Sequence, residues 1–183
     1  CGGVDNIFPH HENEIAQSEG ATGKPFVRFW LHCHHLIVEG EKMSKSKGNF
    51  YTIKDLLQKG ADPMALRYLL LSTHYRKTLN FTFDALAQAE ASVQRIKDFM
   101  YELDHRSFNS GNNKTAAAAV DKARERFDTA LENDLNISMA LSSVFEFIKN
   151  IYKLMEKNEH FDENVKGLKK LMTDCNQVLG FLL

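Results

Sequence analysis

Three lysines stand within six residues of one another in the segment Lys42-Met43-Ser44-Lys45-Ser46-Lys47-Gly48. Small hydroxyl residues separate them and a glycine ends the run, so the segment predicts a mobile cationic loop. Such a loop suits a polyphosphate, because its ammonium groups can follow negative charge as it builds on a leaving pyrophosphate. The composition of the segment also fits an ordinary solvated basic turn.

A second segment whose side chains could take part in chemistry is Phe8-Pro9-His10-His11-Glu12-Asn13-Glu14. Pro9 suits the first position of a helix, because the N–H that proline lacks is not needed there. A helix through residues 10–18 would place His10 and Glu14 four residues apart on one face. An imidazole nitrogen and a carboxylate oxygen are zinc ligands, and zinc takes about four. The alternative is a helix whose acidic first turn complements its own dipole.

The chain opens with a glycine pair, in the segment Cys1-Gly2-Gly3-Val4-Asp5. Paired glycines let the backbone approach a ligand closely, and the carboxylate that follows can accept hydrogen bonds from ribose hydroxyls. The segment therefore fits a nucleoside-binding loop, with a plain turn as the alternative.

Composition indicates an ordinary globular protein. The chain has 183 residues, 43% hydrophobic and 26% charged, with a net charge of −1, which neither favours nor excludes a nucleic-acid partner. No apolar run reaches the roughly 18 residues that a membrane span needs. Three scattered cysteines form no disulfide framework and predict the cytoplasm. Without an initiator Met or a targeting segment, the sequence reads as a piece of a longer polypeptide.

Two regions position these segments. Residues 1–83 have the mixed texture of an α/β domain with functional loops, and Phe26–Trp30 and His35–Val38 are predicted as strands or short buried segments. Thr52–Asp55 has the form of a capping box, and Asp62-Pro63 is a second helix start.

From Asp84 onward, apolar residues recur at three- and four-residue steps, which predicts four amphipathic helices in an antiparallel bundle. The predicted stripes are Leu86, Ala89, Val93, Ile96, Met100 and Leu103; Val120, Ala123, Phe127 and Leu131; Ile137, Leu141, Val144, Ile148, Ile151 and Met155; and Val165, Leu168, Leu171, Cys175 and Val178. Lys149, Lys153 and Lys157 recur every four residues. Because Glu146, Glu156 and Glu159 lie nearby in the sequence, these lysines indicate a solvated mixed-charge face, with contact to a nucleic acid as the alternative.

Several of these segments resemble a known family. Lys42-Met43-Ser44-Lys45-Ser46 is letter for letter the second signature of class I aminoacyl-tRNA synthetases. Pro-His-His-Glu-Asn-Glu, at residues 9–14, resembles the zinc-binding segment of cysteinyl-tRNA synthetases, and the Gly-Gly-x-Asp ahead of it also matches. The resemblance covers nearly the whole chain, closely to Phe83 and more loosely beyond.

The resemblance implies a fold and a division into domains. Residues 1–83 would be the C-terminal part of a Rossmann-like nucleotide-binding catalytic domain. Residues 84–183 would be a helical bundle of the tRNA-contacting, DALR-like kind. The whole would be mostly helical, an α/β part followed by an all-α bundle.

The resemblance also implies an activity and its site residues. The parent enzyme would activate cysteine with ATP and Mg²⁺ and transfer it to tRNA(Cys). Lys45, with Lys42 as the next candidate, would contact ATP, and Gly2, Gly3 and Asp5 would help to seat the nucleoside. His10 and Glu14 would hold one Zn²⁺ with two cysteines upstream of this chain, since neither Cys1 nor Cys33 stands at a ligand position. A monomeric cytoplasmic enzyme with no membrane partner is expected, and this piece alone is expected to be inactive.

Two other functions fit the same residues. One is a cysteine ligase of mycothiol biosynthesis, which would share the catalytic domain and differ in its acceptor. The other is a non-catalytic helical interaction module, because no His-Ile-Gly-His type signature and no first nucleotide-binding half are present in the sequence.

Overall fold

A computed structural model of the chain describes residues 1–157, 160 and 162–181. The chain forms two compact units, each made from two stretches of sequence. The first contains Cys1–Phe50 and Tyr75–Thr82, and the second contains Tyr51–His74 and residues 83–183. The division into domains at residue 83 stays a prediction.

The first unit is built on two small sheets. Strand β1 (Gly2–Gly3) pairs in parallel with β2 (His32–Cys33). In the other sheet, β3 (Leu36–Val38) lies between β4 (Glu41–Lys42), which is antiparallel to it, and β5 (Leu79–Phe81), which is parallel. Val38 and Phe81 are register partners in this sheet, and both are buried. They form the apolar centre from which the β3–β4 hairpin projects.

One of the two strand predictions in this unit needs correction. Residues 26–30 form no strand, and Phe26, Val27 and Phe29 are exposed, Phe29 to 84%. They looked like a strand because they are apolar, but no ladder partner or covering layer is present among the described residues. The segment His35–Val38 is a strand as predicted, although β3 begins one residue later at Leu36.

The helix predicted at Pro9 begins with an irregular turn. Residues Ile7–His11 form a wide turn with i→i+5 hydrogen bonding, interrupted at Phe8, whose backbone is extended (φ −133°, ψ 132°). Regular helix α1 follows at Glu12–Thr22 and ends at Gly23 in the left-handed conformation (φ 65°). In a wider turn the angle between successive side chains around the axis is smaller than in the 3.6-residue α-helix that the sequence argument assumed. The four-residue step from His10 to Glu14 therefore crosses a change of helix type.

The second unit consists of helices and their connecting loops, with one isolated β-bridge between Asn109 and His160 among the described residues. Its helices are α2 (Ile53–Gln58), α3 (Pro63–Ser72), α4 (Phe83–His105), α5 (Lys114–Glu132), α6 (Ile137–Glu156) and α7 (Val165–Leu179). Both predicted helix starts are confirmed. Thr52 and Asp55 form a reciprocal capping box, and Asp62 caps α3 by accepting a 2.6 Å hydrogen bond from the N–H of Met64.

The predicted helix stripes form the core of this unit. Ile96, Phe99, Ile148 and Leu168 are fully buried in one cluster with residues of all four long helices. Val178 is wrong as a core position, because it is 50% exposed while Leu179 is buried. After Cys175 the next buried residue is Leu179, four positions on. Val178, three positions on, therefore lies outside the core. Glu159, expected near the lysines of α6, lies outside the described residues.

The core residues also include a cysteine. Burial raises the pKa of the Cys175 thiol to about 12, so it stays protonated and packs as a small apolar residue. Cys1 and Cys33 are exposed free cysteines. Among the residues that the structure describes, no helix is long and apolar enough to span a bilayer.

Candidate functional site

The lysine segment continues from the end of the β3–β4 hairpin. Glu39 and Gly40 form the hairpin turn with positive φ angles of 50° and 79°. The N–H of Gly40 donates a 2.9 Å hydrogen bond to Asn80 Oδ1, which ties the turn to the end of the sheet. Lys42 is the last residue of β4, so strand pairing fixes the point at which the rest of the lysine segment begins.

Asn49 holds the lysine loop closed. Its side-chain oxygen accepts a 2.8 Å hydrogen bond from the N–H of Ser44, and its Nδ2 donates to the carbonyl of Lys42 at 3.2 Å. Between these contacts, Lys45–Lys47 make one 3₁₀ turn that ends at Gly48 with φ 68°, where glycine avoids the strain of a left-handed conformation. The loop is therefore an ordered turn clamped at its base.

The three lysines of this loop have different surroundings. Lys47 Nζ lies 2.8 Å from Glu41 Oε2, and this contact holds the pKa of the Glu41 carboxyl below its usual value. Lys45 Nζ lies 5.4 Å from the centre of the Phe50 ring. Among the described residues Lys42 and Lys45 make no ion pair. Lys42 and Lys45 are thus the ammonium groups that remain available to an anionic ligand.

The glycine pair at the start of the chain is tightly packed against polar side chains. A Cβ at Gly2 would stand 2.6 Å from Cε1 of the His11 ring, and a Cβ at Gly3 would stand 2.3 Å from Asp5 Oδ1. Asp5 itself is exposed, in the 3₁₀ turn Val4–Asn6. The glycines therefore let β1 lie directly against His11 on one side and the Asp5 carboxylate on the other.

Behind β1, the Trp30 ring stacks on those of His11 and His32, and the two histidine rings are tilted relative to each other. His11 Nδ1 and His32 Nε2 share a hydrogen bond of 2.7 Å, and the Trp30 ring lies 4.5 Å from His11 and 5.8 Å from His32. Because β1 and β2 pair Gly2 with His32, the rings connect the start of α1 to both strands. His11 Nε2 is also 4.0 Å from Glu14 Oε2.

The close approach at Gly2 gives a testable effect on stability. Gly2→Ala is expected to lower the free energy of unfolding of the first unit by about 1–3 kcal/mol, because the new methyl displaces a ring that is itself held in place. Trp30, the only tryptophan in the sequence, reports this unfolding by its fluorescence during urea titration.

Gly20→Ala is the matched control, because Gly20 lies within α1 and a Cβ there meets nothing within 4 Å. Alanine at this position is expected to stabilise by about 0.5–1 kcal/mol. Equal effects of the two substitutions would show that His11 does not constrain Gly2.

The predicted zinc ligands account for only part of a site. His10 and Glu14 offer one imidazole and one carboxylate, which is half of the usual set of four. Across residues 1–157, 160 and 162–181, no group of three or more His, Cys, Asp or Glu side chains could hold a metal ion. The donor types fit zinc, and the remaining donors have to come from elsewhere. The assignment of His10 and Glu14 stays a prediction.

Some predicted site residues lie together and others do not. Gly2 and Gly3 lie in one strand with Asp5 close behind, and Lys42 and Lys45 share one loop. Within the described residues no hydrogen bond or ion pair joins these two groups, and the recorded neighbour of Glu14 is His11 rather than His10.

The sequence argument did not single out Asn49, His11, Trp30 or His32 for their contacts. Asn49 gave only a weak signal, because asparagine side chains commonly hydrogen-bond backbone groups in turns, but its partners lie five and seven residues earlier in the chain. The ring stack had none, since it depends on strand pairing between distant segments.

Comparison with known families identifies the class of protein. Residues 1–91 match the family model of the class I (C) tRNA synthetase catalytic domain, and residues 126–183 match the DALR domain. The chain belongs to the class I aminoacyl-tRNA synthetases.

Relatives identify the branch of that class. The chain is 46% identical over 191 aligned residues to the cysteine--tRNA ligase of Chlamydia muridarum and 49% identical over 182 to that of Solibacter usitatus. Both alignments cover 100% of this chain, and it spans only 40% and 39% of these two relatives. The chain belongs to the cysteinyl-tRNA synthetase family, and the ligase of mycothiol biosynthesis is not favoured.

A solved structure agrees with the fold. The LeuRS of Agrobacterium radiobacter K84, from its ternary complex with tRNA and LeuAMS, matches with a TM-score of 0.74 over 99% of this chain and 26% of that one. The identity is 18%, so the match bears on the fold alone. The predicted fold class, a class I α/β part followed by a helical domain, is confirmed.

Proposed function

We propose that this chain supplies part of an enzyme that activates cysteine with ATP and transfers it to tRNA(Cys). The cysteine carboxylate would attack the α-phosphorus of ATP, and the bond to pyrophosphate would break. A terminal ribose hydroxyl of the tRNA would then attack the carbonyl of cysteinyl-adenylate, and AMP would leave. The observation that carries the proposal is the clamped lysine loop, in a chain of this family.

Lys45 and Lys42 would bind the phosphates of the ATP that carries Mg²⁺. Both ammonium groups lack a carboxylate partner among the described residues, whereas Lys47 is paired with Glu41. Charge that meets the pyrophosphate more strongly in the transition state than in the ground state raises the rate of the chemical step. Lys45 stands in the 3₁₀ turn and Lys42 at its base, so the two would contact different parts of the triphosphate.

The glycine pair and Asp5 would seat the nucleoside. Without side chains at Gly2 and Gly3, the strand edge lets a ribose approach the backbone closely. Asp5 is exposed and lies beside Gly3, where its carboxylate can accept hydrogen bonds from ribose hydroxyls.

His10 and Glu14 would hold one zinc ion together with two cysteines from the remainder of the enzyme. When bound, zinc favours a thiolate over a hydroxyl, which would distinguish cysteine from serine, an amino acid of similar size. The ring of His11, held by His32 and Trp30, would fix the start of α1 and so the positions of these two ligands.

The wider assignments are proposals of the same kind. Residues 1–83 would form the catalytic part and residues 84–183 the bundle that contacts tRNA. We propose a monomeric enzyme of the cytoplasm, in keeping with the scattered cysteines, and no membrane partner.

The test is cysteine-dependent exchange of pyrophosphate into ATP by the full-length enzyme that carries this chain. Exchange with cysteine, and at least about a hundredfold less with serine, is expected. A following acceptor assay should show transfer to tRNA(Cys) and none to an amino sugar. Absence of exchange with cysteine contradicts the proposal, and so would exchange by residues 1–183 alone, which lack half of the expected site.

A further inference from the structure

The lysine loop, residues 42–49, has an exposed tip on a half-buried base. Residues 45–48 are exposed, whereas Met43, Ser44 and Asn49 are half-buried. The 3₁₀ turn of the tip is held by two backbone hydrogen bonds of 3.2 Å, at the long end of the usual range. The position of the tip therefore depends on how firmly its two ends are joined at the base.

The carboxamide of Asn49 joins the two ends in the manner of a neighbouring strand. It accepts a hydrogen bond from the N–H of Ser44 at 2.8 Å and donates one to the carbonyl of Lys42 at 3.2 Å. Lys42 belongs to β4, and Ser44 is also extended (φ −151°, ψ 138°). In extended backbone the C=O of one residue and the N–H two residues later point to the same side, where an adjacent strand would pair with both. Because Asn49 follows the tip in the chain, its two hydrogen bonds close the loop.

The other side-chain contacts of the tip are exposed. Lys47 and Glu41 form an ion pair at 2.8 Å, but their side chains are 54% and 61% exposed. The hydroxyls of Ser44 and Ser46 lie 2.7 Å apart, also at the surface. Exposed pairs of this kind contribute little, because water and salt compete with them. The hydrogen bond from Ser44 to the carboxamide is partly buried, so its loss would open the base of the loop.

An open base would release the ammonium group on which the proposed mechanism depends most. Lys45 is the first residue of the tip, and its Nζ lies 5.4 Å from the centre of the exposed Phe50 ring. At an exposed site such a contact restrains a lysine only weakly, so the loop itself has to place Lys45. Donors stabilise developing charge best when they are in place before the reaction, and a displacement of about 1 Å can cost on the order of a hundredfold in rate.

We propose that Asn49 is a positioning residue for cysteine activation. Its carboxamide holds the closed form of the lysine loop, so that Lys45 and Lys42 are already placed when charge develops on the leaving pyrophosphate. Asn49 acts through these two lysines and not by chemistry of its own. The proposal rests on the proposed function and adds to it a residue that the catalytic lysines require.

The first test measures cysteine-dependent pyrophosphate exchange by the full-length enzyme at varied ATP. Rates are counted per active site, from the amount of adenylate formed, so that unfolded protein does not enter them. Asn49→Ala is expected to lower kcat about 10- to 100-fold and to change the KM for ATP less than about threefold.

Asn80→Ala is the matched control for this measurement. Asn80 Oδ1 also accepts a hydrogen bond from a backbone N–H of the β3–β4 hairpin, that of Gly40, but it does so at the hairpin turn rather than in the lysine loop. The substitution therefore removes the same kind of contact from the same sheet. It is expected to leave kcat and the KM for ATP unchanged.

A double variant separates positioning from a general loss of structure. If Asn49 acts through Lys45, the loss of Lys45 removes most of what Asn49 contributes. Lys45→Ala with Asn49→Ala should then exchange within about threefold of Lys45→Ala alone. Independent effects would multiply, and the double variant would be slower by the product of the two single losses.

Limited digestion with trypsin tests the closed loop without any enzymatic activity. Trypsin cleaves after lysine where the chain opens locally, and the loop contains Lys42, Lys45 and Lys47. Without nucleotide, cleavage at these sites, mapped by mass spectrometry, is expected to be about tenfold or more faster in Asn49→Ala than in the wild type. Asn80→Ala should be cleaved there at the wild-type rate.

These outcomes decide between a positioning role and none. Slower exchange confined to Asn49→Ala, a non-additive double variant and faster cleavage of the loop support the proposal. It is overturned if Asn49→Ala exchanges like the wild type, if Asn80→Ala loses as much, if the losses multiply in the double variant, or if cleavage is unchanged. A wild type that exchanges no pyrophosphate with cysteine overturns the proposed function as well, whereas the other adverse results overturn the role of Asn49 alone.

Discussion

Replacing Lys45 with alanine is expected to lower kcat for cysteine activation by about 100- to 1,000-fold in the full-length enzyme. In the proposed mechanism its ammonium group meets charge that appears as pyrophosphate leaves, so its loss raises the energy of the transition state more than that of bound ATP. The KM for ATP should therefore change much less than kcat. Pyrophosphate exchange at varied ATP measures both quantities.

Lys47→Ala is the control for this experiment. Lys47 belongs to the same 3₁₀ turn and carries the same charge, but Glu41 already neutralises it at 2.8 Å. Its loss should reduce the rate less than about tenfold. If Lys45→Ala and Lys47→Ala reduce the rate equally, the loop acts through its net charge, and the specific role of Lys45 is wrong.

Replacing Phe99 with alanine is expected to reduce the free energy of unfolding of the helical unit by about 3–5 kcal/mol. The Phe99 side chain is fully buried, with ring centres 5.9 Å from Phe147 and 5.5 Å from Tyr152. The substitution removes a large apolar group from the contact between α4 and α6 and leaves a cavity. Loss of helical circular dichroism in urea measures the change.

Tyr101→Ala controls for the removal of an aromatic ring from the same helix. Tyr101 is 62% exposed and stacks on His105 at the surface, so its loss should cost less than about 1 kcal/mol. A Phe99 effect as small as this one would mean that the core closes around the cavity or is loosely packed.

The helical unit was predictable from sequence because its determinants are local. The capping residues Thr52 and Asp62 act within one turn, and the apolar stripes follow the helical period. Val178 shows the limit of this reasoning. Where a helix ends, three- and four-residue steps both satisfy the pattern, and only packing selects Leu179 over Val178.

The candidate site was less predictable because its geometry depends on pairing between distant segments. The lysine loop was evident from residues 42–48, but the clamp by Asn49 required the backbone path. The approach of His11 to Glu14 was not expected, because the chain enters α1 through a wide turn, and the assignment of His10 and Glu14 as zinc ligands stays a prediction. The contact between the rings of His11, Trp30 and His32 depends on the alignment of β1 with β2, which residue spacing does not specify.

The helical unit is made from two separate stretches of sequence, and this limits where the polypeptide can be truncated. Helix α3 precedes the β5 segment and α4 follows it, yet both belong to the same unit. Arg67 Nε of α3 donates a 2.7 Å hydrogen bond to the carbonyl of Leu179, and the ring of Tyr68 lies 5.3 Å from that of Phe181. A fragment that begins at Phe83 would therefore lack α3, and the end of α7 would be exposed. Excision of this unit as an autonomous fragment requires a start at Tyr51 and replacement of residues 75–82 by a linker that joins His74 to Phe83.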